Sequence, residues 1–286
     1  MVRALELPVW PGRAAVAVCL TFDVDAEAPW LAQSPAYARR LSTLSEGRYG
    51  VARALPRIFE LLERHGVKAT FYVPGATAER HPDSVRAIVA AGHEVGHHGH
   101  DHLRSHQIDA DAQRAELEAG LEALAGVAGV VPRGYRSPAW ELTPETFMLL
   151  VEHGFAYDSS CMGDDRPYLE ELGGQTLLEL PVHWSLDDWP YYGWSVEAGG
   201  NLLPASVWLE TWLAEFDSAL AERRLLTYTM HPEVIGRGYR FLALDRLITE
   251  VRRRSEVWFA TQAEVAAHAS AYSRTSSSTD LPPTST

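Results

Sequence analysis

Strand-like and helix-like segments alternate along the whole chain, and this alternation restricts the possible folds more than any other pattern in the sequence. It is typical of a mainly parallel β-sheet whose strands are connected by helices. Thr143 and Pro144 fit the start of one such helix, whereas Gly66, Gly92 and Gly154 fit helix ends. The candidate strands lie near 15–25, 67–73, 93–98, 130–136, 155–159, 177–182, 225–231 and 256–260. We therefore expect an α/β fold of the β/α-barrel type.

The length of 286 residues suits one barrel, because such barrels form single domains of about 250 residues. We assign 1–272 to this domain. Two long segments, 26–50 and 161–201, interrupt the alternation and are expected to be functional loops. The segment 273–286 is rich in Ser, Thr and Pro, and we predict that it is disordered.

Charge and hydropathy exclude several classes of partner. The net charge of −13 leaves no basic surface for a phosphate backbone, so we expect no nucleic-acid partner. No apolar stretch approaches the roughly 18 residues of a membrane helix, so we expect no membrane partner. The first apolar run leads to acidic residues instead of a cleavage site, and two cysteines are too few for a disulfide framework. A cytoplasmic protein is the expectation.

Two aspartates stand near the end of the first predicted strand. Residues alternate between the two faces of a strand, so Asp23 and Asp25 should share a face at a separation of about 7 Å. Carboxylates that close repel each other unless a proton or a cation lies between them. The alternative is a pair of solvated acids in a turn, which would apply if the strand had already ended.

A second chemical signal is the histidine-rich segment 93–102. The i, i+4 spacing of His98 and His102 would bring both side chains to one face of a helical turn. A carboxylate with two neutral imidazoles is a common shell for a divalent metal. His97 and His100 compete for the ligand role, and a surface cluster of histidines is the alternative without a metal.

Arg136 follows the strand-like pair Val130-Val131, and His231 ends the strand predicted at 225–231. Taken singly, an arginine of this kind is usually a surface charge and a histidine at a strand end is usually structural. However, the acid pair, the histidine pair, Arg136 and His231 all fall at the carboxyl ends of four different predicted strands. That rim is the active face of a β/α barrel. One shared site explains the coincidence better than four independent accidents.

These segments, taken together and in order, resemble the successive motifs of the polysaccharide deacetylase family, also called the NodB-homology or carbohydrate esterase family 4 fold. The resemblance extends from about residue 14 to residue 265. Val24 separates the two aspartates, Leu103 follows the second histidine and Ala139 replaces a frequent aromatic residue. These departures resemble the branch that contains the Helicobacter-type peptidoglycan deacetylase, cyclic imidases and allantoinase-like enzymes. The motif segments are 21–25, 98–102, 136–138 and 229–231.

The resemblance implies a distorted barrel of seven or eight strands around a metal centre, with zinc as the expected ion. The implied metal ligands are Asp25, His98 and His102, and the implied catalytic residues are Asp23, Arg136, Ala139 and His231. Asp23 would act as general base, oriented and tuned by Arg136. His231 would act as general acid, and the backbone N–H of Ala139 would join the metal in stabilising an oxyanion. Trp184 with Asp187 or Asp188 would supply the family's fourth motif, which falls between the segments 136–138 and 229–231, and one of these aspartates would support His231.

The expected activity is metal-dependent hydrolysis of a non-peptide carbon–nitrogen bond. The first hypothesis is removal of an acetyl group from an N-acetylated sugar or a related amide, and the second is ring opening of a small cyclic imide, hydantoin or ureide. A third is a catalytically silent barrel that binds carbohydrate, although such a module would not need a base, an acid and three metal ligands. The branch resemblance also implies a homo-oligomer.

The rim loops are rich in large aromatic residues, which predicts the size of the substrate. Such residues could close off a small-molecule or carbohydrate pocket and exclude water from it. The alternative is that they fill the core, since tryptophans are highly buried on average. We therefore expect compact substrates to be preferred over long glycan chains. The aromatic residues concerned are Trp30, Trp140, Trp184, Trp189, Tyr191, Tyr192 and Trp194.

Overall fold

The computed structural model describes residues 2–5, 10–196 and 199–276. The strands are β1 Val2–Ala4, β2 Val16–Asp23, β3 Thr70–Val73, β4 Glu94–His97, β5 Gly134–Tyr135, β6 Tyr157–Asp158, β7 Tyr168–Leu172, β8 Gln175–Glu179, β9 Trp194–Ser195, β10 Gly199–Gly200, β11 Leu225–Met230 and β12 Val257–Phe259. The α-helices are α1 Ala28–Gln33, α2 Leu41–Tyr49, α3 Leu55–His65, α4 Gly75–Arg80, α5 Pro82–Ala90, α6 Ala110–Ala128, α7 Pro144–Glu152, α8 Trp189–Tyr192, α9 Ala205–Glu222, α10 Pro232–Ile235, α11 Gly238–Arg252 and α12 Gln262–Ser276.

One sheet organises the molecule, with the strand order β1-β7-β8-β6-β5-β4-β3-β2-β11 and with β12 also paired to β2. Eight of its strands, β2 to β6, β8, β11 and β12, are joined by parallel pairings. An isolated parallel bridge between Asp187 and Thr229 brings the chain after β8 alongside β11. The sheet therefore curls into an open barrel, and the predicted α/β barrel of seven or eight strands is confirmed.

The central strand β2 shows why the sequence folds this way. All eight of its residues are buried, because β3 and β12 pair along one edge and β11 along the other. Its large residues, such as Leu20 and Phe22, pack in the outer core with the helices. Its small residues Ala17 and Cys19 join a second cluster, which lies on the other face of the strand. This alternation leaves Thr21 and Asp23 directed to the barrel interior near the carboxyl end.

Helix α12 contributes to that second cluster. Val265, Ala266 and Ala269 of α12 pack there with Cys19 of β2. The first residue of the helix, Gln262, is fully buried. The amino-terminal end of α12 is therefore part of the barrel interior and not an appendage on its surface.

All eight predicted strands are present, but most are shorter than expected. The segment predicted at 130–136 pairs only over Gly134–Tyr135, in part because Pro132 has no N–H to donate to a sheet. The sequence analysis missed β1, β7, β9 and β10. A local signal for β7 was present, because Gly173 and Gly174 both have positive φ angles, of 58° and 78°, in the tight turn to β8.

Three expectations remain, namely the disordered tail, the absence of a membrane partner and the homo-oligomer. Helix α12 runs to Ser276, so the first residues of the tail segment are helical, and 277–286 lie outside the described residues. Among the helices that the structure describes, none has the length and the apolar composition needed to cross a membrane. The homo-oligomer concerns contacts between chains and stays a prediction.

Candidate active site

Asp23 and Asp25 lie together at the carboxyl end of β2. The strand ends at Asp23, earlier than predicted, and Asp25 follows in a bend where Ala26 has a φ of 51°. Val24 N–H donates to the carbonyl of Tyr72 over 2.8 Å, which holds this bend beside β3. The exposed fractions of Asp23 and Asp25 are only 2% and 3%. The alternative of two solvated turn acids is therefore wrong.

The two histidines converge on these acids by a route that was not expected. His98 and His102 belong to an irregular loop after β4, and not to a helical turn, so the predicted local geometry is wrong. His102 has a φ of 62°, and this left-handed conformation turns the loop back towards the barrel. The two imidazole centroids are 5.1 Å apart. The i, i+4 spacing therefore identified two histidines that do lie close together, but they lie in a loop and not in a helical turn.

The neighbouring histidines, His97 and His100, make structural contacts outside the acid pair. His97 is fully buried and its Nε2 hydrogen-bonds to the carbonyl of Leu117 over 3.0 Å. A Cβ added to Gly120 would lie 2.3 Å from that same nitrogen, so only glycine lets α6 approach the loop so closely. His100 turns towards Gly75, away from the cavity that contains the acid pair. Neither His97 nor His100 is in the ligand position.

Asp25, His98 and His102 present a donor set that suits a divalent cation. One ligand atom from each lies within 4.8 Å of the others. The Nε2 atoms of His98 and His102 are 3.5 and 3.3 Å from the carboxylate of Asp25. His98 Nδ1 lies 2.7 Å from the carbonyl of Arg136, to which it must donate, so His98 Nε2 carries the lone pair. The lone pair of His98 Nε2 therefore faces a carboxylate oxygen of Asp25.

The electrostatics of this group also fit a metal. Burial lowers the pKa of His98, which favours the neutral imidazole. Burial opposes ionisation of Asp25, but the nearby His102, His98 and His231 keep its pKa below the usual value. No described group donates a hydrogen bond to its buried oxygen Oδ1. A buried anion of this kind needs a positive partner, which a divalent ion would supply.

Arg136 holds the other aspartate. Its Nη1 donates to Asp23 Oδ1 over 2.7 Å and to Thr21 Oγ1 over 2.9 Å. Its Nε and Nη2 donate to the carbonyl and the hydroxyl of Ser159, both over 3.1 Å, and its guanidinium lies 4.2 Å from the ring centroid of Tyr72. The side chain is fully buried. Arg136 therefore fixes one oxygen of Asp23 and leaves Oδ2 directed towards His98.

His231 reaches the donor set at Asp25 and has its own carboxylate partner. Its Nδ1 lies 2.7 Å from Asp188 Oδ1, and its Nε2 lies 3.9 Å from Asp25 Oδ2. Asp187 is farther from Nδ1, at 3.7 Å, and accepts the N–H of Trp189. Burial opposes protonation of His231, but Asp188, Asp187 and Asp25 together raise its pKa well above the ordinary value. Of the two candidate aspartates, Asp188 is the one that contacts His231 closely.

Ala139 lies at the cavity wall in a left-handed conformation. It belongs to the short turn Pro138–Trp140, and both Ala139 and Trp140 have positive φ angles, of 54° and 58°. Such strain in residues other than glycine is found mainly at functional positions, because surrounding contacts must sustain it. The turn places Ala139 on the same cavity as Asp23, Asp25 and the two histidines.

The cavity that these residues share has a volume of about 620 Å³. Trp140, Trp184 and Trp189 line it, and the Trp140 and Trp184 rings stack at 4.3 Å. The other rim aromatics do not line it, so that part of the expectation is wrong. Trp30 packs in a separate cluster, and Tyr192 belongs to the main core. The cavity is therefore walled by three tryptophans, fewer than the sequence predicted.

Sequence reasoning gave no role to the residues that hold Arg136. Ser159 ends a predicted strand, and nothing local indicated that it would accept two hydrogen bonds from a guanidinium. Tyr72 lies within a predicted strand, and Gln262 lies outside every predicted strand and motif segment.

Comparisons with known proteins agree with this architecture. The family model for polysaccharide deacetylase matches residues 15–157. A Mycobacterium smegmatis protein classed as a polysaccharide deacetylase is 41% identical, with a TM-score of 0.90 over 99% of this chain and 98% of its own. The PuuE allantoinase is 25% identical, with a TM-score of 0.82 over 93% of this chain and 94% of its own. The Helicobacter pylori peptidoglycan deacetylase is 28% identical over 88% of this chain and 95% of its own length.

The open β/α barrel contains a buried set of possible metal ligands, with the carboxylate of Asp23 and the imidazole of His231 beside it. This combination defines a hydrolase of the deacetylase class. The chain belongs to the polysaccharide deacetylase family. Members of this family are metal-dependent in general, and the donor set described above is consistent with that.

Proposed function

We propose that the protein is a zinc-dependent amidohydrolase that removes the acyl group from a compact N-acetylated sugar or a related acyl amine. The observation that carries the proposal is the arrangement around Asp25. Asp23 Oδ2 lies 3.9 Å from His98 Nε2, and His231 Nε2 lies 3.9 Å from Asp25 Oδ2. A base and an acid thus flank one donor set, as hydrolysis of an amide requires.

Asp23 is assigned as the general base. Its Oδ1 is occupied by the guanidinium of Arg136, whereas Oδ2 faces the donor set and is free to take the proton of an attacking water. Asp25 keeps a separate role as a ligand, because the surrounding imidazoles favour its ionised form. Two carboxylates in different environments can divide acid–base and electrostatic work in this way.

His231 is assigned as the general acid that protonates the departing amine. The carboxylate of Asp188 accepts from Nδ1, which leaves the Nε2–H directed to the cavity. We assign the backbone N–H of Ala139, which lines the same cavity, to the developing oxyanion. Donors fixed before the reaction stabilise such a charge without reorganisation.

Zinc is the proposed ion for Asp25, His98 and His102, since two imidazoles and a carboxylate form a shell that zinc accepts readily. When bound, such an ion supplies Lewis-acid polarisation of the substrate carbonyl and makes a nearby water more acidic. The hydrogen bond from His98 to the carbonyl of Arg136 orients one ligand, as outer contacts of metal sites commonly do.

Replacing Asp188 with asparagine is expected to move the alkaline limb of the kcat/KM profile to lower pH. The acid must be protonated, so activity falls as pH rises through the pKa of His231, and the charge of Asp188 raises that pKa. Removing this charge brings the fall to lower pH. The measurement is kcat/KM from pH 6 to 10, with Asp187→Asn as the matched control, for which a smaller shift is expected. An unchanged alkaline limb in Asp188→Asn would separate His231 from the acid step.

The cavity favours compact substrates. Trp140, Trp184 and Trp189 form walls around the donor set, and two of these rings stack on each other. A volume of about 620 Å³ accommodates a monosaccharide-sized molecule comfortably, because ligand pockets of this kind span about 300–1,000 Å³. The second candidate function is hydrolysis of a small cyclic imide, hydantoin or ureide, which the likeness to an allantoinase over most of both chains supports.

Competition kinetics on the zinc-loaded enzyme test both candidates. We expect kcat/KM for an acetylated monosaccharide, or for one of the cyclic amides, to exceed that for N-acetylglucosamine oligomers by about tenfold, the discrimination given by roughly 1.4 kcal/mol. Trp184→Ala opens one wall, so it should reduce this preference. Equal or higher kcat/KM on the oligomers would contradict the compact-substrate proposal.

A further inference from the structure

Gln262, the first residue of α12, reaches into the barrel interior. It is fully buried, and its backbone N–H donates to Thr70 Oγ1 over 2.9 Å. Its side-chain Nε2 donates to Ser159 Oγ over 2.9 Å, and its Oε1 accepts from the hydroxyl of Tyr72. Both polar groups of the amide are therefore used, and both partners belong to other parts of the barrel.

The two partners of Gln262 are the groups that hold Arg136. Ser159 accepts hydrogen bonds from the Nε and Nη2 edge of the guanidinium, and Tyr72 packs against its flat face at 4.2 Å. Contact with an edge and a face leaves a planar guanidinium little freedom to rotate. The remaining edge donates to Asp23 Oδ1 over 2.7 Å. A continuous set of contacts therefore connects Gln262 with Asp23.

We propose that Gln262 is a positioning residue for the hydrolytic reaction. Its amide locks Ser159 and Tyr72 in the orientation that fixes Arg136, and Arg136 in turn aims Asp23 at the attacking water. The inference rests on the proposed role of Asp23 as the base. Gln262 does not line the cavity. The amino-terminal end of α12 would therefore influence catalysis from outside the cavity, through Arg136. A buried amide suits this task because its NH₂ group donates and its carbonyl oxygen accepts hydrogen bonds.

The test is Gln262→Met, which replaces the amide by an unbranched apolar side chain of similar length. We expect kcat to fall about tenfold, in the range typical for outer positioning contacts, while KM and metal content stay unchanged. The matched control is Thr261→Val, because Thr261 Oγ1 caps the same helix through Glu264 and touches neither Ser159 nor Tyr72. A Gln262→Met enzyme that loses thermal stability but keeps the wild-type kcat would overturn the proposal.

A double-mutant cycle with Ser159→Ala separates positioning from general damage. If Gln262 acts through Ser159, the combined loss in kcat is smaller than the product of the two single losses, because the second change removes a contact already broken. Independent, multiplicative losses would contradict the proposal. Should Gln262→Met fail to fold, Gln262→Glu keeps the shape and the acceptor for Tyr72 but loses the donor to Ser159. It should also lower kcat, and a wild-type kcat in that variant would overturn the proposal as well.

Asp23→Asn, assayed in parallel, distinguishes the two possible failures. If Asp23→Asn keeps its activity, the proposed mechanism fails whatever the result for Gln262. If Asp23→Asn is inactive and Gln262→Met turns over like the wild type, only the positioning role of Gln262 fails.

Discussion

Replacing Asp23 with asparagine is expected to lower kcat by about a hundredfold or more, the usual loss for a missing general base. The reason lies in the different surroundings of the two carboxylate oxygens. Arg136 donates to Oδ1, so the asparagine must turn its own carbonyl oxygen to the guanidinium. Its NH₂ group then takes the place of Oδ2 towards His98, where a proton acceptor is required. The substitution keeps the shape of the site and removes the base.

The measurement combines steady-state turnover with elemental analysis. Asp23 is not among the three clustered ligands, so Asp23→Asn should bind metal in the wild-type ratio. Glu27→Gln is a matched control, since Glu27 is a buried acid in the loop directly after β2 but hydrogen-bonds to His81, outside the cavity. It should keep most of the activity. Near-normal turnover in Asp23→Asn would remove Asp23 from the mechanism.

The sequence was sufficient to predict which parts of the chain meet at the site. Parallel strands place their carboxyl ends on one rim, so a polar residue after each of several strands is expected at that rim wherever the loops go. Asp23, His98, Arg136 and His231 stand at the carboxyl ends of four such strands, and all four lie within the same buried group. This prediction needed only the period of the strands and the order of the segments.

Local geometry was less predictable, because it depends on contacts between distant segments. The spacing of His98 and His102 fits a helix, yet the loop adopts an irregular path with His102 at a φ of 62°. His97 anchors that path by its bond to Leu117 in α6, which no local pattern shows. The support of Arg136 was also invisible, since Ser159 and Gln262 are 103 positions apart in the chain. Tertiary hydrogen bonds of this kind have no periodic signature.

The loss of metal on replacing Asp25 with alanine is the second large effect expected. Asp25 supplies the only carboxylate of the three clustered ligands, and its two oxygens face His98 at 3.5 Å and His102 at 3.3 Å. Without it, only two imidazoles remain, and most of the charge that attracts a divalent ion is gone.

We expect about one divalent ion per wild-type chain after dialysis, and less than about a tenth of that in Asp25→Ala, with turnover falling in proportion because the ion polarises the substrate. His102→Ala should weaken binding as well. His100→Ala is the matched control, because His100 comes from the same loop but turns towards Gly75, and this variant should keep its metal. Elemental analysis and calorimetric titration of the metal-free proteins with zinc give content and affinity. If Asp25→Ala and His102→Ala bind zinc as tightly as the wild type, the ion lies elsewhere and the ligand assignment is wrong.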